Sequence, residues 1–263
     1  MEPKAILRTA RLLGEVPIHS HPVPPIPDDD LPHTADEGYA VQKALHDYLR
    51  HNGQGELAGW KIGATTATMQ DYLGVAEPAY GRIMSGTMIE NGSILTAAGF
   101  CNPGIECEIA VRLGKPSEGD GYTKESVADL ISTVLPAIEI VENRYGDFEE
   151  RGTPTLISDD FFHKACVLGP ERADWTSLDL AALTGRVRID GDEKAEGTGA
   201  AVMGHPLEAI AWLANLLGTY GERLNAGDII MTGSVTPVMW LDSFPCHAEI
   251  EFDGLGIASL ELT

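Results

Sequence analysis

The 263-residue sequence predicts an α+β protein: a smaller N-terminal helical part followed by a β-rich core. Two observations predict it. Before residue 55 the periodic apolar patterns have helical spacing, whereas beyond it short apolar runs with a period of two alternate with turn residues. Only two long helical patterns interrupt those runs, at 124–135 and 206–217. The expected division is therefore residues 1–55, helical with a proline-rich connector, and residues 56–263, the β-rich catalytic core, the two forming one cooperative unit.

Residues 3–13 are weakly helical. The segment 19–30, with Pro22, Pro24, Pro25 and Pro27, cannot be regular helix and reads as an extended connector. His19 and His21 have no third ligand nearby and read as surface-loop residues. Thr34 or Asp36 can cap a helix in which Tyr39, Val41, Leu45, Tyr48 and Leu49 form an apolar stripe, closed by Asn52-Gly53.

Leu57-Ala-Gly-Trp-Lys-Ile-Gly63 reads as a short strand with Ala58, Trp60 and Ile62 on one face. Lys61 shares the other face with Gly59 and Gly63, which leaves room beside the ammonium. Glycine inside a strand often marks close approach of a ligand or of another backbone. Lys61 is either a functional group in that space or an exposed edge-strand lysine. From 83 to 113 short apolar runs broken by Asn91-Gly92, Gly99 and Pro103-Gly104 predict a β-meander.

Within it, Gly104-Ile-Glu-Cys-Glu-Ile-Ala-Val111 alternates, with Glu106 and Glu108 on one face about 7 Å apart at Cβ. Alternating glutamates also suit a solvated sheet face. Glu139, almost alone among apolar residues from Val134 to Val141, does not, because a buried carboxylate needs a cationic partner or a metal. Arg144 and Arg112 are candidate partners. Alternatively, Glu106, Glu108 and Glu139 converge on a hard divalent cation, for which all-oxygen ligands favour Mg²⁺ or Mn²⁺ over zinc.

An amphipathic helix is expected over 124–135, leading into the Glu139 strand, then a charged loop from Glu142 and the segment Ile157-Ser-Asp-Asp-Phe-Phe-His163. Strands follow at 165–168 and 185–189, with Gly191-Asp192 as a turn. Gly197–Pro206 is neither a Rossmann fingerprint nor a P-loop. It feeds an apolar helix through Leu217 with Pro206 near its first position, where backbone N–H groups can hold an anion. The strand from Asp228 ends in Ser234 and Thr236, which either bind a carboxylate or only form a turn. Strands at 246–252 and 256–262 complete the sheet.

The net charge of −22 argues against nucleic acid or an anionic membrane as partner. A small anionic substrate would need a local positive centre, which a metal and a lysine would supply. Cys101, Cys107, Cys166 and Cys246 form no CxxC or zinc spacing, so a reducing cytoplasm is expected. Neither a secretory signal nor a run approaching a membrane span is expected.

Seven motifs in order, Tyr39-Ala-Val-Gln42, Gly59-Trp-Lys-Ile-Gly63, Glu106-Cys-Glu108, Pro136-Ala-Ile-Glu139, Gly199-Ala-Ala-Val-Met-Gly-His-Pro206, Gly227-Asp-Ile-Ile230 and Thr232-Gly-Ser-Val-Thr236, carry a resemblance. The sequence resembles the hydratase/decarboxylase branch of the fumarylacetoacetate hydrolase superfamily, home of 2-keto-4-pentenoate hydratases and 4-oxalocrotonate decarboxylase. The resemblance implies a mixed β-roll core, Mg²⁺ or Mn²⁺ on Glu106, Glu108 and Glu139, and Lys61 as a proton-transfer group with a pKa lowered by the ion. It implies a small anionic 2-oxo or 2-hydroxydienoic acid as substrate, most directly hydration of 2-hydroxypenta-2,4-dienoate. Decarboxylation, C–C hydrolysis and non-catalytic keto-acid binding are the alternatives. It further implies a homo-oligomer, with Gly59, Gly63, Ser234 and Thr236 about the substrate, and Glu142 and Asp159 as further catalytic candidates. Two positions depart from the branch: Ala79 stands where it usually has Asp, and Asp160 where it commonly has Asn.

Overall fold

The computed structural model describes residues 1–19, 21–73, 75–146 and 152–263. The chain begins with α1 (Pro3–His19) and α2 (Ala35–His51), followed by β1 (Leu57–Gly63), α3 (Ala67–Leu73) and β2 (Ala79–Met84). Next come β3 (Met88–Glu90), β4 (Ser93–Leu95), β5 (Pro103–Leu113), α4 (Lys124–Val127) and β6 (Ile131–Glu142). The chain continues through α5 (Thr153–Ser158), β7 (His163–Leu168), β8 (Thr184–Ile189), β9 (Asp192–Thr198) and α6 (Pro206–Thr219). It ends with β10 (Ile229–Ser234), β11 (Met239–Trp240), β12 (Cys246–Phe252) and β13 (Gly256–Leu262).

Helix α2 forms where the sequence places its signals. The Thr34 side chain accepts from Glu37 N, Asp36 and Glu37 occupy the first turn, and Arg50 and His51 the last. Its buried stripe of Val41, Leu45 and Leu49 packs between α1 and α5. Gln42, also buried, donates to Tyr80 O at 2.9 Å and Ile157 O at 2.8 Å, tying the helix to the start of β2.

The strands build two sheets. The larger runs β2-β1-β10-β5-β6-β7-β3, with β11 also on β5; the smaller runs β4-β13-β12-β8-β9. One apolar cluster joins Leu13 and Val16 of α1, Leu45 of α2, Trp60, Ile105 and Ile138 of the large sheet and Ile250 of the small one. The helical part thus shares its core with the sheets.

Several expectations need correction. The 83–113 segment is not a meander: β3 pairs with β7, β4 with β13, and β5 with β6 and β10, so its strands go to different sheets. The helix expected over 124–135 stops at Val127 and a short 3₁₀ turn. The β-branched residues Ile131, Thr133 and Val134 belong to β6, which starts opposite Leu113. Helices α3 and α5 and strands β2, β9 and β11 have no counterpart among the expected elements, residues 72–84 reading as turn-rich, and α1 runs to His19. Part of the expected charged loop after Glu142, and the side chain of His19, lie outside the described residues. By length and composition alone residues 199–219 could cross a membrane, but half of the stretch is buried inside the fold and α6 itself covers only Pro206–Thr219. Here it is a core helix, with Leu207, Ile210, Leu213 and Leu217 buried.

Candidate metal and substrate site

The antiparallel register of β5 and β6 sets Glu106 directly opposite Glu139, with Glu108 two residues along the same face. The alternate residues Ile105, Cys107 and Ile109 are fully buried on the other face. Glu108 and Glu139 are also completely buried, and one oxygen from each of the three glutamates falls within 4.8 Å of the others. The solvated-face reading therefore fails. The Gly233 N–H donates to Glu108 Oε2 at 2.8 Å, while Glu108 Oε1 and Glu139 Oε2 are buried without a hydrogen-bond partner. Two orphaned carboxylate oxygens in an all-oxygen cluster fit a hard divalent cation, which would satisfy both.

Lys61 lies on β1 between β2 and β10, opposite Gly81 and Met231, so it is not an edge lysine. Its Nζ sits 3.3 Å from Glu139 Oε1 and donates to Phe161 O at 3.0 Å. That carbonyl belongs to a turn in which Asp160, Phe161 and Phe162 all have φ between 50° and 68°, a left-handed run costly for non-glycine residues. The turn is held by Asp160, whose Oδ1 accepts from Arg82 N at 2.9 Å and whose Oδ2 lies 2.6 Å from His46 Nε2.

Burial and mutual repulsion dominate the electrostatics. Burial, then the charge of Glu139, pushes the Glu106 pKa up to about 8. The same causes push Glu108 well above the usual carboxylate value. Burial also opposes ionisation of Glu139, but the Lys61 ammonium and the His163 hydrogen bond outweigh it and hold its pKa low. For Lys61, burial acts downward and the three glutamates more strongly upward, so without a cation its pKa is raised rather than lowered.

The partner expected for Glu139 is neither Arg144 nor Arg112. Arg112 pairs with Glu171, and Arg144 binds Asp159 Oδ2 at 2.9 Å and Glu142 Oε2 at 3.4 Å. Glu139 instead meets Lys61 and His163, whose Nδ1 is 2.9 Å from Glu139 Oε1. Glu142 and Asp159 thus face Arg144, with Tyr145 Oη also donating to Asp159 at 3.0 Å. Burial raises the Asp159 pKa to about 6 against the pull of that arginine. Glu142 and Asp159 stand beside the cluster rather than in it.

The glycines divide differently from the sequence reading. A Cβ on Gly59 would run into the Ile229 carbonyl, so this glycine serves the approach of β10 and leaves no substrate room. A Cβ on Gly63 would stand 3.6 Å from Lys61 Nζ and 3.2 Å from the Phe161 ring. Gly81, which sequence reasoning missed, makes way for the Asp160 carbonyl and the Lys61 stem: its Cβ would meet Asp160 O at 2.9 Å and Lys61 Cγ at 3.0 Å. Ala79 is buried opposite Gly63, on the face that carries Lys61. Ser234 Oγ is occupied with backbone, donating to Thr236 O at 2.8 Å, whereas Thr236 Oγ1 is buried without a partner. The N-terminus of α6 is capped by His205, which accepts from Leu207 N at 3.1 Å.

Residues 71–260 match the family model of the fumarylacetoacetate (FAA) hydrolase C-terminal region. The chain belongs to the fumarylacetoacetate hydrolase family. It is 35% identical to 2-hydroxyhexa-2,4-dienoate hydratase of Comamonas testosteroni, over 98% of this chain and 93% of that one. It is 31% identical to 2-keto-4-pentenoate hydratase of Burkholderia vietnamiensis, over 96% and 95%. Its fold is similar to that of 4-oxalocrotonate decarboxylase from Pseudomonas putida G7 complexed with magnesium and adipate. That match has a TM-score of 0.93 and 26% identity, and covers 100% of this chain and 99% of that one.

Proposed function

We propose that this protein is a divalent-metal-dependent lyase acting on a small 2-oxo or 2-hydroxydienoic acid, with hydration of 2-hydroxypenta-2,4-dienoate or a close homologue as its reaction. The observation that carries the reading is the buried Glu106, Glu108 and Glu139 cluster with its two orphaned oxygens beside Lys61. The hydratase relatives and the magnesium complex of the decarboxylase support it. Glu106, Glu108 and Glu139 would hold Mg²⁺ or Mn²⁺, which when bound supplies a Lewis acid for the 2-oxygen and carboxylate of the substrate.

The chain's own groups do the rest. Lys61, oriented by the Phe161 carbonyl and Glu139, holds a proton at Nζ in a water-poor pocket and can give it to, or take it from, the substrate carbon skeleton. Gly63 keeps space beside the ammonium and Gly81 beside the Lys61 stem, and the free hydroxyl of Thr236 can donate to a substrate oxygen. Decarboxylation is the second reading, favoured by Ala79, which leaves no carboxylate on the Lys61 face of β2 to handle the proton of an added water. A β-roll core, a homo-oligomer and a cytoplasmic location complete the proposal, the last in keeping with four unpaired cysteines.

The test is turnover on a panel of 2-hydroxydienoates and 2-oxo diacids with Mg²⁺, Mn²⁺ or chelator. Metal-dependent loss of dienoate absorbance supports hydration, and metal-dependent CO₂ release from a 2-oxo diacid supports decarboxylation. Activity unaffected by chelator, or none on either class, would overturn the assignment.

A further inference from the structure

The side chain that completes the carboxylate cluster is one that the metal reading does not use. His163, the first residue of β7, reaches Glu139 from outside the cluster, with Nδ1 2.9 Å from Oε1. Lys61 touches the same oxygen at 3.3 Å, so both partners of Glu139 converge on Oε1 and Oε2 alone is left free. The two partners are unequal in what they fix. An ammonium is a compact charge with three rotating donors, whereas an imidazole N–H is a single directional donor in a rigid plane.

The imidazole plane is itself held. His163 Nε2 lies 3.4 Å from Thr87 Oγ1, whose one proton can go to that nitrogen or to Met84 O, 2.9 Å away. The His163 carbonyl accepts from Arg144 Nη1 at 3.0 Å, and Arg144 is anchored in turn by the buried carboxylates of Asp159 and Glu142. Ring and backbone are therefore pinned independently.

We infer that His163 is a positioning residue: its Nδ1–H turns the Glu139 carboxylate so that Oε2 is presented with Glu106 and Glu108 to the cation. Glu142 and Asp159 act through Arg144, fixing the backbone from which the imidazole projects, rather than by touching substrate. The inference rests on the metal-site reading above and adds to it the residue that orients one ligand.

Calorimetric titration of the metal-free protein with Mn²⁺ tests it without any substrate. Asparagine places an amide N–H where the imidazole has Nδ1, whereas glutamine carries its amide one atom further, towards Thr87. His163→Asn should bind Mn²⁺ within about threefold of the parent, and His163→Gln and His163→Leu about 10- to 100-fold more weakly, the usual cost of losing an outer partner of a metal ligand. The Asn and Gln variants are both polar and keep the Arg144 anchor, so their comparison decides even where the leucine variant does not fold. Equal affinity in all variants, or equal weakening in Asn and Gln, would overturn the inference. Absence of Mn²⁺ binding by the parent protein would instead overturn the metal site itself.

Discussion

Lys61 has two competing positions in the same cluster, counter-ion to three glutamates and proton carrier, and a single substitution separates them. In Lys61→Met the positive charge that competes with a cation is gone, so Mn²⁺ affinity should hold or rise. Turnover should fall about 10²-fold or more, the typical value of a lost general acid or base. Near-parental kcat would make Lys61 only a structural counter-ion. Ala79 gives the complementary experiment. It faces Gly63 across β1 and β2, so Ala79→Asp puts a carboxylate on the Lys61 face, where the ammonium can pair with it. Hydratase kcat/KM should rise, by up to 10²–10⁴ if proton handling limits the parent, while solvent exchange at C3 of a 2-oxo acid, followed by NMR, changes less. Hydration already fast in the parent with no gain in the variant would exclude that role. At this scale Glu139 was legible because a lone carboxylate in an apolar run demands a partner. His163 was not, since nothing in Phe161-Phe162-His163 reveals a partner 24 residues earlier on another strand.

Among the elements, β1 shows how alike two glycines look in sequence and how differently they work. Gly59 and Gly63 flank Lys61 symmetrically, but one faces the backbone of β10 and the other the Phe161 ring and the ammonium. Gly59→Ala should therefore act on stability, costing about 1–3 kcal/mol as overpacking against an adjacent strand does. The check is the denaturation midpoint, with Mn²⁺ affinity of the folded fraction unchanged. A substrate-binding defect at unaltered stability would return Gly59 to the pocket. Local pattern was sufficient for β12 and β13, whose alternation appears as two paired strands over the expected residues. It failed for 131–135, where a short apolar run fits helix and strand alike until Pro136 and pairing with β5 decide. It failed again for β3 and β4, because their partners lie about 80 and 170 residues further along the chain, too far for local pattern to report.

For the whole molecule, the carboxylate cluster sets how stability responds to pH. Glu106, with its pKa near 8, and Glu108, also raised, hold protons in the folded state that an unfolded chain releases near pH 4.5. Asp159, raised to about 6, acts the same way over a narrower span. Wherever the folded state binds more protons than the unfolded one, stability falls as pH rises, by about 1.4 kcal/mol per pH unit for each extra proton. Of the groups shifted the other way, Glu139 and Asp160 contribute stability that is present above their unfolded pKa and lost only below it, outside this window; His205, lowered by burial, opposes the trend inside it, one group against three. Metal-free protein should therefore lose thermal stability between about pH 5 and pH 8. Mg²⁺ reverses the sign of the argument: a bound cation favours the ionised glutamates and displaces their protons, so its stabilisation grows with pH. Melting curves in chelator and in excess Mg²⁺ should diverge steadily from pH 5 to pH 8. In Glu106→Gln, which cannot ionise at that position, the chelator curve should flatten and the Mg²⁺ shift should shrink or vanish. A chelator curve that rises across this range, or an Mg²⁺ shift independent of pH, would show that the glutamates are already ionised and balanced without the metal.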